Sequence, residues 1–183
     1  MPIICARLRL MTLSDWDDVS DHHHFMKSDS YKDFIAEVAT VFDLDRGAPA
    51  LRHANYASHP PNGPREAPVT EFACFALPTS ASNEQKSALE DAVLNLATTC
   101  SRVGSCISFA TGWVVEDLDH DEGTNEKAIG FSALFGWPSK EDHMKLRESP
   151  EFLEAVGPIR GMALPPTAGY KGTAMFHAKL VRA

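Results

Sequence analysis

The sequence predicts an α+β fold in which two related units, each combining helices with a β-sheet, pack together in one chain. Two observations predict this fold. A motif of the form W-x4-D-H-x2-(F/L)-x2-S-x2-(Y/F) begins at Trp16 and again at Trp137, 121 residues later and without a gap. Strand-like and helix-like segments then follow one another after residue 68 in the order β-α-β-β-α-β. Together they indicate an internal duplication whose second copy is the more complete.

The first copy is short. Residues 2–11 alternate apolar and polar side chains, which predicts a half-buried strand, and the motif follows as a helical stretch to about Phe42. Residues 51–56 fit a short strand, and the proline-rich stretch HPPNGPREAP at 59–68 is interpreted as a linker. We therefore expect a partial N-terminal repeat (β-α-β) over residues 1–58, the linker over 59–68 and a complete repeat over 69–183.

The second copy supplies every element of one layered unit. VTEFACFAL at 69–77 predicts a strand, and Ser82 with Gln85 forms a capping box that begins a helix. Residues 105–115 and 127–137 predict two further strands, the second motif a second helix, and residues 170–181 a last strand. This order is the ferredoxin-like (βαββαβ) arrangement, in which two helices cover one face of the sheet and leave the other bare.

A bare apolar sheet face explains why the unit is duplicated. Two such faces exclude water by closing on each other, which predicts a pseudo-dimeric α/β barrel within one chain. The first copy matches only the β-α-β ending of the second. Either the sequence begins late, which we favour, or a second chain supplies the missing strands in a homodimer.

Composition excludes several classes of partner. The formal net charge is -8 over 183 residues and no basic cluster occurs, which argues against binding nucleic acid or an anionic membrane. The N-terminal apolar run is too short for a signal peptide or a membrane span, so we expect a cytoplasmic protein. The four cysteines show no C-x2-C spacing, which favours buried, reduced thiols.

The histidines of the repeated motif have two interpretations. His22 and His143 precede Phe25 and Leu146 by three residues, so they point roughly inward along the apolar stripe of the helix. The favoured interpretation is a hydrogen-bonded core histidine. The alternative is a ring at the mouth of a cavity, where a pKa near neutrality suits it to accept a proton.

Other polar residues give weaker signals. His23 and His24 should face solvent, and an HHH run on a helix cannot converge on one ion, so no metal site is predicted. Polar side chains in strand-like runs must in part face the cavity between the two sheets, with His177 and His53 as candidates of second rank. These polar strand residues are Arg7, Arg9, Glu71, Ser108, Thr111, Ser132, Thr173 and His177.

With these motifs the chain resembles the antibiotic biosynthesis monooxygenase (ABM) family of the dimeric α/β barrel superfamily, in the duplicated form common in fungal proteins. The resemblance covers residues 69–183 fully and the part before His59 partially. The usual ABM helix has an apolar residue where His22 and His143 stand and a His where Phe25 and Leu146 stand. A catalytic role for the family's His is therefore not carried over. Haem-degrading members ligate iron at positions that here hold Ile35 and Val156, so haem is not expected.

The resemblance implies a cofactor-independent tailoring enzyme of secondary metabolism, a monooxygenase or a cyclase/decarboxylase. Its substrate would be a small hydrophobic aromatic molecule such as a polyketide-like phenol, quinol or anthrone. The alternative is a non-catalytic barrel that binds a small apolar ligand or a protein partner. The candidate catalytic residues are His143, His22 and His177, and the candidate substrate-binding residues are Trp137, Trp16, Trp113, Phe131 and His53.

Overall fold

The computed structural model describes residues 13–40, 51–56, 59–119, 126–165 and 175–181. The chain divides into two compact units, Met1–Leu51 and Arg52–Ala183. The division falls a few residues before the predicted linker. The strand predicted at 2–11, the helix end near Phe42 and the beginning of the last predicted strand lie outside the described residues.

The helical stretch predicted in the first unit consists of two helices in the described residues, α1 (Val19–Met26) and α2 (Asp29–Val38). The Asp18 side chain caps α1 by accepting a hydrogen bond from the Ser20 backbone N–H at 2.7 Å. Ser28 stands at the N-cap of α2, but its hydroxyl donates to the Phe25 carbonyl at 2.7 Å instead of capping the helix. That bond joins the end of α1 to the start of α2.

The second unit is built on an antiparallel sheet. Its described strands are β1 (Ala54–Asn55), β2 (Val69–Pro78), β3 (Ser108–Val114), β4 (Leu118–Asp119), β5 (Lys127–Trp137) and β6 (Met175–Ala178). They lie in the spatial order β1-β3-β5-β2-β6, and β4 pairs with β5 off this path. Strands β2, β3, β5 and β6 correspond to the predicted ferredoxin-like unit, and β1 adds one strand at the edge beside β3.

Four helices accompany this sheet, and local sequence fixes where they begin. They are α3 (Asn62–Glu66), α4 (Asn83–Arg102), α5 (Lys140–Leu146) and α6 (Pro150–Met162). The predicted capping box of Ser82 and Gln85 is present at α4, so that prediction is confirmed. Ser139 caps α5, and Ser149 caps α6 with proline at its first position.

One face of the sheet packs on helices to form the core. Side chains alternate between the two faces of a strand, so odd-numbered residues of β2 and β5 share the helix side. Phe75 and Phe131 there pack against Leu89 and Val93 of α4, and all four are at most 7% exposed. Each fully buried side chain of this size contributes roughly 1.5–3 kcal/mol through the hydrophobic effect. This face therefore holds most of the apolar core of the unit.

The opposite face carries smaller side chains and is covered in part by residues 52–56 and 59–67. Thr70 Oγ1 donates to the Pro64 carbonyl of α3 at 2.7 Å, and the Tyr56 hydroxyl lies 2.7 Å from Ser132 Oγ. A Cβ on Gly136 would lie 2.8 Å from the Ala67 Cβ, so only glycine fits under α3 there. Within the predicted linker, Asn62–Glu66 therefore forms a helical turn that a buried Pro64 anchors to the sheet. Face-to-face closure of two units stays a prediction.

Among the described helices, none combines the length and the apolar character that crossing a membrane requires.

Candidate active site

A cavity of about 360 Å³ lies between the helix-covered face of the sheet and helices α4, α5 and α6. Its position differs from the expectation of a cavity between two sheets. The difference follows from strand alternation, because the odd-numbered residues of β2, Glu71 among them, point toward the helices. Most of its wall is apolar, including Phe75, Leu96, Phe135, Phe152, Val156 and Ile159. Such a wall suits a flat, apolar ligand.

Glu71 carries the only carboxyl side chain of strand β2, and it lines this cavity. It is 4% exposed and stands directly opposite His177 in the β2–β6 pairing. The indole Nε1–H of Trp137, at the end of β5, donates to Glu71 Oε2 at 3.0 Å. Strand register therefore brings a carboxyl group and an indole donor to the cavity wall, with the His177 imidazole beside them on β6.

His143 completes the cluster from the helix side. The Ser139 cap begins α5 two residues after β5 ends, which returns His143 over Trp137 with ring centroids 4.4 Å apart and an interplanar angle of 13°. Its Nδ1 lies 2.7 Å from His177 Nε2 and 3.4 Å from Glu71 Oε2. His143 is 3% exposed and lines the cavity. The three side chains thus form one connected polar cluster, which we call the Glu71–His143–His177 cluster.

Burial sets the charge of this cluster. Burial raises the pKa of Glu71 from 4.5 to about 7, against the opposing pull of the Trp137 N–H and the Arg147 charge. Burial, helped by His177 and Arg147, lowers the pKa of His143 from 6.5 to about 4. Burial and then the charges of Lys140 and Arg147 lower the pKa of His177. Near neutral pH both imidazoles are therefore uncharged and Glu71 is close to its midpoint.

The hydrogen-bond pattern leaves acceptor atoms of the cluster unused. The 2.7 Å contact between His143 Nδ1 and His177 Nε2 needs one proton, because two bare nitrogens or two N–H groups would repel. Among the described residues, neither His143 Nε2 nor Glu71 Oε1 has a hydrogen-bond partner. When His143 donates from Nδ1, its Nε2 carries a lone pair. The cluster can then accept a proton from a molecule in the cavity.

Two cations line the same cavity. Arg147 is the C-cap residue of α5 and Arg160 lies in the last turn of α6; both are exposed. The only hydrogen-bond partner of Arg147 among the described residues is the Met144 sulfur at 3.8 Å, and Arg160 has no carboxylate partner there. The charge of Arg147 acts on the cluster and the charge of Arg160 lies elsewhere on the cavity wall; both favour an anion in the cavity, including one formed when a ligand loses a proton.

The structure places the predicted motif residues of the first unit in a similar local arrangement. Trp16 stacks on His22 with centroids 4.6 Å apart and an interplanar angle of 13°, and His22 is 7% exposed. Trp16 itself is 37% exposed and its Nε1–H donates to Ser14 Oγ. His23 and His24 are exposed, as expected. The inward orientation predicted for His22 and His143 is confirmed.

Four predicted site residues of the second unit do not line the described cavity: Trp113, Phe131, His53, and His177, which contacts the lining residue His143. Trp113 packs on Phe131 at 4.9 Å and donates from Nε1 to Glu90 Oε2 at 3.2 Å. His53 pairs with Glu116 through its Nδ1 and its backbone N–H. Of the eight predicted site residues, the structure thus brings together Trp137, His143 and His177.

The cysteines of the described part are free thiols. Cys100 lines the cavity, and burial raises its pKa to about 12. Burial also raises the pKa of Cys106. Because the thiolate is the reactive form, these side chains act as apolar packing at neutral pH. This agrees with the reduced thiols expected from their spacing.

Sequence reasoning missed Glu71 and Arg147 as site residues. Glu71 was named only as one of several polar residues in strand-like runs. What could have identified it is that it is the only acidic residue within the predicted strand VTEFACFAL. Its pairing with His177 depends on strand register across 106 residues of sequence, which no local pattern reveals. Arg147 follows His143 by four residues on α5, a spacing that places both side chains on one helix face.

Comparison with known proteins gives similarity at the level of solved structures. No protein-family model matches the chain, and no curated protein matches it. SnoaB, a cofactor-independent oxygenase from Streptomyces nogalater, is 11% identical over 64% of this chain and 95% of its own, with a TM-score of 0.38.

Two further solved structures show similarity of the same order. A putative antibiotic biosynthesis monooxygenase from Chloroflexus aurantiacus is 17% identical over 63% of this chain and 94% of its own, with a TM-score of 0.37. A dimeric ferredoxin-like protein of unknown function from Thermobifida fusca is 14% identical over 61% and 90%, with a TM-score of 0.41. Identities this low assign no activity to the present chain.

Proposed function

We propose that this protein is a cofactor-independent acid–base catalyst that removes a proton from a flat, apolar aromatic substrate of the phenol, quinol or anthrone class. The observation that carries the proposal is the Glu71–His143–His177 cluster, of which Glu71 and His143 line an apolar cavity of about 360 Å³. A buried carboxyl group with a pKa of about 7 beside two imidazoles points to a functional site, because apolar side chains would fill the same volume at lower cost.

The proposed roles follow from the positions of the side chains. His143 accepts the substrate proton at Nε2 while its Nδ1 stays hydrogen-bonded to His177. Glu71, whose Oε2 lies 3.4 Å from Nδ1, stabilises the imidazolium that forms. His177 is a positioning residue. Arg147 and Arg160 stabilise the substrate anion.

The anion can continue by either of two routes. In the oxygenase route an anthrone carbanion adds O2, a proton returns to the peroxide, and loss of water leaves a quinone, so that one CH2 and one O2 become one C=O and one H2O. In the cyclase or decarboxylase route the anion attacks an internal carbonyl, or forms as CO2 leaves. All these reactions depend on anion stabilisation, and cyclisation and oxygenation begin with proton removal.

The experiment tests proton removal directly. Anthrone in D2O buffer exchanges its methylene protons, and NMR follows the exchange under argon, so that oxidation cannot compete. We expect wild-type protein to accelerate exchange and His143→Phe and Glu71→Gln to lose about 10²–10⁴ of that acceleration. Phe keeps a ring against Trp137, and His24→Ala, at an exposed position, is the matched control. Admission of air with measurement of O2 uptake then distinguishes the routes.

The apolar cavity also supports a second candidate function, binding of a small hydrophobic ligand without chemistry. Under that reading anthrone quenches the fluorescence of Trp137 on binding while exchange stays at the rate of free solution. His143→Phe would then leave affinity nearly unchanged. That pair of results would replace the catalytic proposal with the binding one.

The finer architecture is also a proposal. We infer that the two tryptophan-led segments are copies of one unit, which supports a pseudo-dimeric barrel, because each stacks Trp on His at 13° and places a short polar N-cap before the helix. A homodimer is the alternative way to complete the first copy. Sedimentation equilibrium tests it, because a monomer of 20.0 kDa favours closure within one chain.

A further inference from the structure

The Glu71–His143–His177 cluster has the composition of a metal-binding triad as well as that of a proton relay. Each residue offers one ligand atom, and the three atoms lie within 4.8 Å of one another. Two imidazoles and one carboxylate suit a divalent first-row ion such as Zn²⁺ or Fe²⁺. Glu71 and His143 are almost fully buried, so exposed acidic groups that gather by chance do not explain the cluster.

The separations between the ligand atoms fit one small ion. Ligands about 2.1 Å from a tetrahedral ion stand roughly 3.4 Å apart. His143 Nδ1 and Glu71 Oε2 are 3.4 Å apart, and His143 Nδ1 and His177 Nε2 are 2.7 Å apart around their shared proton. Replacing that proton by an ion requires these nitrogens to separate by about 0.7 Å. Rotation of two ring side chains supplies such a movement.

The surroundings also resemble the outer layer of a metal site. The Trp137 N–H holds Glu71 Oε2 from the side, as hydrogen-bond donors commonly orient ligating carboxylates. Stacking on Trp137 fixes the plane of the His143 ring. The charge of Arg147 opposes a cation, but its side chain is exposed and the Glu71 carboxylate lies nearer to the ion position.

We propose that Glu71, His143 and His177 bind one divalent transition-metal ion, with an open coordination position toward the cavity. An ion bound at His143 Nδ1 leaves the ring proton on Nε2, so it removes the lone pair that the proposed proton transfer needs. Metal binding and cofactor-independent catalysis therefore exclude each other at this site, and Zn²⁺ should inhibit proton removal. The inference rests on the geometry of the three side chains and holds whether or not the protein is an enzyme.

The test is a titration of chelator-treated protein with Co²⁺, followed by its visible absorption and by calorimetry. Exposed histidines could bind cobalt, so a His23→Ala/His24→Ala variant serves as the reference background. We expect one ion per chain in that background. Glu71→Gln, His143→Phe and His177→Phe should each abolish the signal, and Trp137→Phe should weaken binding roughly 10- to 100-fold. Circular dichroism of each variant verifies its fold.

The outcomes separate the two proposals made for this site. Absence of binding, or binding that survives His143→Phe and His177→Phe, overturns the metal site and leaves the proton-removal proposal intact. Proton exchange that requires added metal overturns cofactor-independent catalysis and retains the metal site. Exchange that proceeds in chelator and stops with Zn²⁺ supports both.

Discussion

His143 Nδ1 lies 2.7 Å from Nε2 of His177, although 34 residues separate the two histidines in the sequence. One ring comes from helix α5 and the other from the edge strand β6, so the contact forms only when the motif helix packs over the end of the sheet. Because burial lowers the pKa of both rings, each ring is neutral near pH 7. The hydrogen bond between them contains the N–H proton of one ring. The orientation of each ring therefore depends on the other.

Replacement of His177 tests this dependence. His177→Phe removes the partner of His143 Nδ1, and we expect the proposed proton exchange to fall about tenfold, less than for His143→Phe. Since His177 helps to lower the pKa of His143, the midpoint of the pH–rate profile should move upward. His177→Gln offers a side-chain oxygen to Nδ1 and should restore much of the rate. Equal rates and profiles for both variants would contradict a positioning role.

The stability of the protein should depend on pH in opposite directions through Glu71 and His143. The folded pKa of Glu71 is raised to about 7 from 4.5, so its contribution is complete below pH 4.5 and is lost as pH rises through 7. The folded pKa of His143 is lowered to about 4 from 6.5, so its contribution is complete above pH 6.5 and is lost as pH falls through 4. As pH rises from 4.5 to 6.5, the contribution of Glu71 to stability falls while that of His143 grows.

Single substitutions should expose each contribution. Relative to wild type, His143→Phe should lose stability as pH rises from 4 to 6.5, by about 3 kcal/mol at most, because it lacks the contribution that His143 makes over this range. Glu71→Gln should instead lose stability relative to wild type as pH falls from 7 to 4.5, because it lacks the contribution of Glu71. Urea unfolding at half-unit steps of pH measures both curves. Parallel curves for the two variants would show that the cluster does not titrate as described.

The sequence predicted the elements of the second unit better than their assembly. The strand at Lys127–Trp137 and the capped helix at Asn83–Arg102 follow from periodicity and caps, which are local. The helical turn at Asn62–Glu66 was missed because its stability comes from packing Pro64 on the sheet and not from its composition. Trp137 and His143 were predicted as site residues because the motif repeats. That Glu71 lies in the same site could not be predicted, because its place opposite His177 depends on the register of β2 and β6.

The indole of Trp137 combines two contacts that one substitution can separate. Trp137→Phe keeps a ring against His143 and removes the N–H that donates to Glu71 Oε2. That donor lowers the pKa of Glu71, so its loss should raise the pKa above its present value of about 7. Carbon-13 NMR of the labelled glutamate carboxyl measures the change.

Trp113→Phe is the matched control for this measurement. It also removes an indole N–H donor, but the donor serves Glu90, which does not line the cavity. We expect the Glu71 titration to be unchanged in Trp113→Phe. A similar shift in both variants would indicate a general loosening of the unit and not the loss of one hydrogen bond.

Gly112 should be needed for the attachment of β1 to the sheet. A Cβ there would lie 2.0 Å from the Asn55 carbonyl oxygen and 2.6 Å from its carbon, and both atoms belong to the backbone. Gly112→Ala must therefore displace the strand, which we expect to cost about 2 kcal/mol or more and to release the Tyr56 hydroxyl from Ser132. Hydrogen exchange of residues 51–56 should rise accordingly.

Gly157→Ala provides the opposite expectation within the same unit. Gly157 lies inside α6, and a Cβ there would meet nothing within 4 Å. Alanine should stabilise the helix by roughly 0.5–1 kcal/mol because it restricts the unfolded chain and favours helix. Chemical denaturation of both variants compares the two glycines directly. If Gly112→Ala were as stable as Gly157→Ala, β1 would not be held against β3 as the structure shows.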